Sequence, residues 1–249
     1  MNGWRVLVTR PEAGELSREL GRRGAIPIAV PMIAIREVVP GGPLDRATRR
    51  IGEYDWVVVT SAYGVRALFD RLRALGVEPP RNARWGAVGP ATAAALTARG
   101  ARDVRVPDAG TGAAIAAELG ELRGARVLLA RARLASDDLP TALLERGAIV
   151  DDVPAYETVI GPESSRAPLS RALAEGLEAA IFTSGSTVAG FARLAADPRA
   201  ALSGVATVCI GPVTARALKE AGITPARVAA DRSAESLIDA LEKVAGDRA

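Results

Sequence analysis

Two stretches of the chain, DWVVVTSAYGV (residues 55–65) and EAAIFTSGSTV (residues 178–188), follow the same pattern. Each begins with an acidic residue, continues as an apolar run, and ends in Thr-Ser before a helix-like segment. Short apolar runs of this kind predict buried strands of a parallel sheet. A second matching pair, WGAVGPATAAAL (85–96) and VCIGPVTARAL (208–218), follows the first pair in the same order. We call this duplicated segment repeat b.

The spacing of landmarks within repeat b is the same in both copies. Gly89 lies 22 residues before Thr111, and Gly211 lies 22 residues before Ser233. Thr111 and Ser233 each precede a helix-like stretch, and we expect both side chains to cap those helices. Equal spacing over this length indicates an internal duplication.

A different pair of segments forms a second repeat, which we call repeat a. WRVLVTRP (4–11) matches ARVLLARA (125–132), and RRGAIPIAVP (22–31) matches ERGAIVDDVP (145–154). The order along the chain is therefore a, b, a, b. Each copy alternates a strand-like and a helix-like segment, which predicts parallel sheets flanked by helices.

The lengths of the connections predict which copies share a domain. One copy of each repeat supplies about five strands, as in a flavodoxin-like sheet. The first copy of b and the second copy of a are joined by a short link, residues 120–126, so we place both in one domain. We predict an α/β fold of two flavodoxin-like parallel-sheet domains with crossed, discontinuous connectivity, joined by a two-stranded β linker. The predicted boundaries are residues 1–35 plus 163–249 for one domain, 40–154 for the other, and 36–39 and 155–162 for the linker strands.

The composition excludes several kinds of chemistry. The 249-residue chain contains no histidine, and Cys209 is its single cysteine. A histidine-dependent triad is therefore impossible, and neither a zinc site nor an iron–sulfur site is expected. The strand-to-helix turns match neither the Walker loop nor the G-x-G-x-x-G motif. We expect no metal and no cofactor.

The charge pattern bears on the partners. The net charge is +3, and the cations are almost all arginines scattered along the chain. Codon bias accounts for this equally well, but arginine also suits a carboxylate or phosphate ligand. Nucleic-acid binding would require a clustered basic face. No apolar run approaches the ~18 residues of a membrane span, and no signal peptide is recognised. We expect a cytoplasmic protein without nucleic-acid or membrane partners.

The turns that follow the predicted strands hold the candidate binding residues, because ligands of open parallel sheets bind beyond the carboxyl ends of the strands. In the Gly-Pro-x-Thr turns, proline occupies the first helical position and free backbone N–H groups can receive an anion. The same turns also make good connections without any ligand, and both interpretations stay open at this point. The candidates are Arg10, Ser61, Ala62, Thr92, Arg131, Ser184, Gly185, Ser186 and Thr214.

The two copies of repeat a differ at one position in a way that bears on catalysis. Tyr156 in VPAYETVI (153–160) occupies the place of Ile33 in VPMIAIRE (30–37). Tyr156 is either a packing residue of the linker or a phenol exposed to a ligand between the domains. A phenol can donate a proton without help from histidine, so Tyr156 is the candidate catalytic residue.

These motifs together resemble uroporphyrinogen-III synthases in order and spacing, from Arg5 to about Leu241. The segments that carry the resemblance are LVTRP, DWVVVTSAYGVRAL, AVGPATAAAL, VPAYET, IFTSGSTV, CIGPVTARALKEAG and SAESLIDAL. The resemblance implies two α/β domains joined by a two-stranded ladder, no cofactor, and a monomer. It also implies a substrate, hydroxymethylbilane, which is a linear tetrapyrrole with eight carboxylates.

The resemblance further implies a reaction and residue roles. The family removes water from the bilane and closes the macrocycle with inversion of the last ring. Tyr156 matches the family tyrosine that assists departure of the hydroxyl, and Thr92 and Thr214 match threonines of the cleft. Ser61 and Ser184 match the turn serines, whereas the arginines match less securely. An alternative is a two-domain α/β protein that binds a small polyanionic ligand without catalysis.

Overall fold

The computed structural model describes residues 1–80, 83–109 and 111–247 and divides into two compact units. The terminal unit contains Met1–Ala34 and Val159–Ala249, and the central unit contains Ile35–Thr158. The strands are β1 (Arg5–Val8), β2 (Ile26–Ala29), β3 (Ile33–Glu37), β4 (Trp56–Val59), β5 (Arg84–Ala87), β6 (Val104–Arg105), β7 (Arg126–Ala132), β8 (Ile149–Ile160), β9 (Ala179–Phe182), β10 (Ala206–Cys209) and β11 (Arg227–Val228).

Helices cover the faces of both sheets. They are α1 (Gly14–Arg22), α2 (Pro43–Arg49), α3 (Ala62–Leu75), α4 (Pro90–Thr97), α5 (Gly112–Glu118), α6 (Asp138–Glu145), α7 (Arg166–Ala174), α8 (Gly185–Leu194), α9 (Pro198–Ala201), α10 (Pro212–Glu220) and α11 (Ala234–Asp247). Two short 3₁₀ helices span Ile51–Glu53 and Glu163–Ser165.

The terminal unit is built on a five-stranded parallel sheet with the order β2-β1-β9-β10-β11. Its central strands are mostly apolar, and every residue of β9 and β10 is buried. One core cluster packs α1 and α11 on one face, and another packs α7, α8 and α10 on the opposite face. Such two-sided coverage explains why these strands read as continuous apolar runs.

The central unit has the same arrangement of parallel strands, but the strands occur in a different order along the chain. Its parallel strands have the order β8-β7-β4-β5-β6, and β3 lies beyond β8 at the edge. If the strands of repeat a are counted before those of repeat b, both units show the flavodoxin order 2-1-3-4-5. The predicted α/β fold of two parallel-sheet domains with crossed connectivity is therefore confirmed. The roles of 36–39 and 155–162 as linker strands stay a prediction.

The predicted caps are also confirmed. Thr111 accepts a hydrogen bond from the Ala114 N–H at 3.2 Å, at the start of α5. Ser233 accepts one from the Ser236 N–H at 3.0 Å, next to the start of α11. Both bonds satisfy donors that a helix N-terminus leaves without an intrahelical partner.

Strand β8 contains an irregularity beside β7. Arg131 pairs with Pro154 and Ala132 pairs with Tyr156, so Ala155 is an extra residue with no partner in the β7 register. Tyr156 therefore belongs to the β7–β8 ladder of the central unit. None of the helices within the described residues is long and apolar enough to cross a membrane.

Candidate active site

The strand-to-helix turns of repeat b carry serine caps in both units. Ser61 has an extended backbone and its hydroxyl accepts from the Gly64 N–H at 3.0 Å, at the start of α3. Ser184 begins α8 in the same way and accepts from the Thr187 N–H at 3.2 Å, within a reciprocal capping box. The serines therefore belong to helix N-termini, where the helix dipole favours negative charge.

The Gly-Pro-x-Thr turns begin the next helices. Pro90 of α4 and Pro212 of α10 stand at the helix start, as the sequence predicts. Thr92 is 5% exposed and Thr214 is 3% exposed. Among residues 1–80, 83–109 and 111–247, the structure shows no hydrogen bond from either threonine hydroxyl. Neither hydroxyl oxygen is among the fully buried polar atoms that lack a partner, so both hydroxyls remain accessible.

A pocket of about 260 Å³ lies between the N-termini of α8 and α10 in the terminal unit. Ser184, Gly185 and Thr214, three of the candidate residues, line it. Ser186 is half-buried in the first turn of α8 and does not line this pocket. The pocket combines two helix N-termini with a free hydroxyl, an arrangement suited to a carboxylate.

The sequence did not single out one residue of this pocket, Arg232. Its exposed side chain lines the same cavity, and no partner for it is present in the described part of the chain. A comparison of the two copies of repeat b could have identified Arg232, because the first copy has Gly110 at the matching position. Gly110 itself lies outside the described residues.

Tyr156 lies in the central unit beside the cap of α3. Its hydroxyl is 2.9 Å from the Ser61 hydroxyl, and its ring lies 6.0 Å from the ring of Tyr63 at a 56° tilt. The residue is 7% exposed. Burial raises the pKa of the Tyr156 phenol above its ordinary value, and the hydrogen bond with Ser61 opposes part of this rise. Ala62 is exposed at the first position of α3.

The two candidate arginines have different surroundings. Arg131 is 7% exposed and binds both carboxylate oxygens of Asp152, at 2.7 Å and 2.5 Å. It also donates to the Ser136 carbonyl at 2.6 Å and to Asp137 at 3.1 Å. Arg10 is half-buried and has no ion pair within the described residues. Arg131 is thus satisfied by its own unit, whereas Arg10 is available to an anion.

These features define the class of the protein. It is an α/β protein of two parallel-sheet units whose strand ends lead into helix N-termini, with one buried phenol next to a serine cap. The chain belongs to the uroporphyrinogen-III synthase family, since residues 14–239 match the family described as Uroporphyrinogen-III synthase HemD. This family acts in porphyrin and heme biosynthesis as a lyase, so the family expected from the motifs is confirmed.

Individual relatives support the assignment. The porphyrin biosynthesis protein HemD of Ruminiclostridium josui is 33% identical over 252 residues, which cover 98% of this chain and 49% of that protein. The chain therefore spans about half the length of that relative. The uroporphyrinogen-III synthase of Synechococcus elongatus is 30% identical over 234 residues, covering 88% of this chain and 86% of that protein.

Solved structures agree with this. A crystal structure of a mutant uroporphyrinogen III synthase from Thermus thermophilus has a TM-score of 0.71 and 26% identity to the chain. The match covers 98% of this chain and 100% of that one.

Proposed function

We propose that the chain converts hydroxymethylbilane into uroporphyrinogen III, with loss of water and inversion of the last pyrrole ring. The observation that carries this proposal is the buried Tyr156 phenol held at the Ser61 cap. The chain contains no histidine, so a proton donor for the departing hydroxyl must come from another side chain.

The proposed reaction begins at the hydroxymethyl group. Its C–O bond breaks, and the oxygen leaves with the bonding pair and the Tyr156 proton as water. The resulting azafulvene cation is attacked by the substituted carbon of the last ring, which gives a spiro intermediate. Fragmentation and closure then invert that ring, and the proton lost from its free carbon restores the Tyr156 phenol. No external acid, metal or cofactor is needed in this sequence of steps.

Binding would depend on the eight carboxylates of the bilane. We propose that the pocket of the terminal unit holds one of them through Ser184, Gly185, Thr214 and Arg232, which line the cavity. Ser186 follows in the first turn of α8, and Ala62, Thr92 and Arg10 lie at other strand ends. All four are proposed to contact further parts of the substrate. Holding one conformation of a flexible chain is a proximity effect, which directs closure towards the inverted isomer.

Arg131 has a different role in this proposal. Its guanidinium donates hydrogen bonds to Asp152, Ser136 and Asp137, and these bonds hold the turn after β7 in place. Four of the five guanidinium N–H groups are used in these bonds, so Arg131 has at most one left for a substrate carboxylate. We also propose that the enzyme acts as a cytoplasmic monomer without nucleic-acid or membrane partners.

Isomer analysis of the product tests the function. The purified chain is given hydroxymethylbilane made in situ by the preceding enzymatic step, and the cyclised isomers are separated by chromatography. We expect uroporphyrinogen III, formed faster than the spontaneous closure. Only the non-inverted isomer, formed at the spontaneous rate, would contradict the proposal. Tight binding of the bilane without turnover would instead support a binding protein.

A further inference from the structure

The β-bulge in β8 explains why Tyr156 reaches the α3 side of the sheet. In a regular strand, Val153 and Ala155 would face one side and residue 156 the other. Because Ala155 is an extra residue in the register, this alternation shifts by one position. Val153, Ala155 and Tyr156 are accordingly all buried in the same core cluster as Val65 of α3. Bulges are rare between parallel strands and are frequent beside active sites.

The Ser61 hydroxyl is the group that the shifted phenol meets. A serine hydroxyl has one proton and two acceptor positions. One acceptor position is taken by the Gly64 N–H at 3.0 Å. A hydroxyl that already accepts a hydrogen bond becomes a better donor, because bonds in a chain polarise one another. This favours donation from Ser61 to the Tyr156 oxygen over the reverse direction.

We propose that Ser61 is a positioning residue that donates its proton to the Tyr156 oxygen, so that the Tyr156 proton points outward to the departing hydroxyl. The inference rests on the proposed function and gives Ser61, a binding candidate of the sequence analysis, a different role, since it acts through Tyr156 and does not bind the substrate. When the phenol gives up its proton, the Ser61 hydroxyl stabilises the phenolate at the positive end of α3. The proton returned from the last ring then restores the starting state.

Other charged groups near the phenol are fixed by their own partners. On α3, Arg66 lies over the Tyr63 ring at 5.4 Å, and Tyr63 contacts Tyr156. Arg133, just after β7, and Arg36 of β3 both lie within ion-pair distance of Glu157 of β8, at 2.5 Å and 3.8 Å. None of these residues is altered in the variants that test the proposal.

A double-mutant cycle on the full chain separates positioning from binding. The variants are Ser61→Ala, Tyr156→Phe and the combination, assayed with hydroxymethylbilane. We expect Tyr156→Phe to lower kcat about 10²-fold, at the weaker end of general-acid effects because the bilane ionises readily. Ser61→Ala should lower kcat about tenfold with KM unchanged, as for loss of one hydrogen bond to a charged oxygen. The double variant should equal Tyr156→Phe alone, and Ser61→Thr should restore most of the rate.

A spectroscopic readout checks the same contact. Absorbance titration of tyrosinate, taken as the difference from Tyr156→Phe, should show a higher Tyr156 pKa in Ser61→Ala than in the unmodified chain. Thr111→Ala is the matched control, since it removes only the cap of α5. Thr111→Ala should lower the unfolding midpoint about as much as Ser61→Ala does, and it should leave kcat and the Tyr156 titration unchanged.

The possible failures are distinguishable. Additive losses in the double variant, or a raised KM with normal kcat in Ser61→Ala, would overturn this inference alone and return Ser61 to substrate binding. A Tyr156→Phe enzyme as fast as the unmodified chain would overturn both the general-acid role and this inference. Product of the non-inverted isomer only, at the spontaneous rate, would overturn the proposed function itself.

Discussion

The terminal and central units share one sheet order, but matching positions in them carry different chemistry. Arg10 of the terminal unit corresponds to Arg131 of the central unit, and Ala29 of the neighbouring strand β2 corresponds to Asp152 of β8. An alanine leaves Arg10 without an acid, whereas Asp152 binds Arg131 through two hydrogen bonds. One substitution on the neighbouring strand therefore converts an available cation into a structural ion pair.

Further matched positions extend this contrast. Tyr156 replaces Ile33, and all three tyrosines of the chain lie in the central unit. Arg232 in the terminal unit stands where repeat b otherwise has Gly110. Under the proposed function, the central unit supplies the proton donor Tyr156, and the terminal unit supplies Arg10 and Arg232 to bind carboxylates of the substrate.

The largest expected effect on stability comes from a glycine of the terminal unit that has no glycine counterpart in the central unit. A Cβ at Gly190 of α8 would lie 1.8 Å from the Met32 carbonyl oxygen. The matching positions of the central unit are Ala67 and Ala155, which line a cavity of about 140 Å³. Gly190→Ala should therefore lower the free energy of unfolding by about 3 kcal/mol, the upper range for overpacking. Urea denaturation measures this loss.

A glycine in open space supplies the control for that variant. Gly21 lies within α1, and a Cβ there would meet no heavy atom within 4 Å. Gly21→Ala should stabilise the chain by about 0.5 kcal/mol, since alanine has the better helix propensity. A Gly190→Ala protein as stable as the unmodified chain would show that α8 can move away from the Met32 backbone.

Substitution of Arg131 should mainly lower stability, whereas substitution of Arg10 should mainly weaken substrate binding. Arg131→Ala leaves Asp152 without its partner and should cost about 2 kcal/mol of unfolding free energy, below the range for a fully buried pair because Asp152 is partly exposed. Arg10→Ala should change the stability by less than about 0.5 kcal/mol and raise KM for the bilane. Parallel urea denaturation and steady-state kinetics test both. Equal stability losses would remove the contrast between the units.

The smallest effect is expected at Arg232. Its side chain is exposed, so its contribution to carboxylate binding is screened by water. Arg232→Ala should raise KM about fivefold with kcat unchanged. The KM of Arg232→Lys should lie between those of Arg232→Ala and the unmodified chain. A change in kcat without a change in KM would place Arg232 in the chemical step and not in binding.

The sequence alone predicted much of this protein, because the information was local or periodic. Apolar runs and equal spacings indicated the strands, the duplication and the crossed order of repeats a and b. Thr111 and Ser233 were recognised as caps since capping depends on residues three positions apart. The missing histidine and the order of the motifs indicated the class of chemistry and the family.

Tertiary structure decided the features that depend on neighbouring strands. The bulge at Ala155 is a property of the β7–β8 register, and it shifts Tyr156 to the face of the sheet where it meets Ser61. The ion pair between Arg131 and Asp152 joins residues 21 positions apart, so the arginine motif could not show that its charge was already neutralised. Arg232 likewise joins the α8 and α10 termini only in the folded sheet. Periodicity specifies which residues are buried, whereas register and packing specify which polar groups meet.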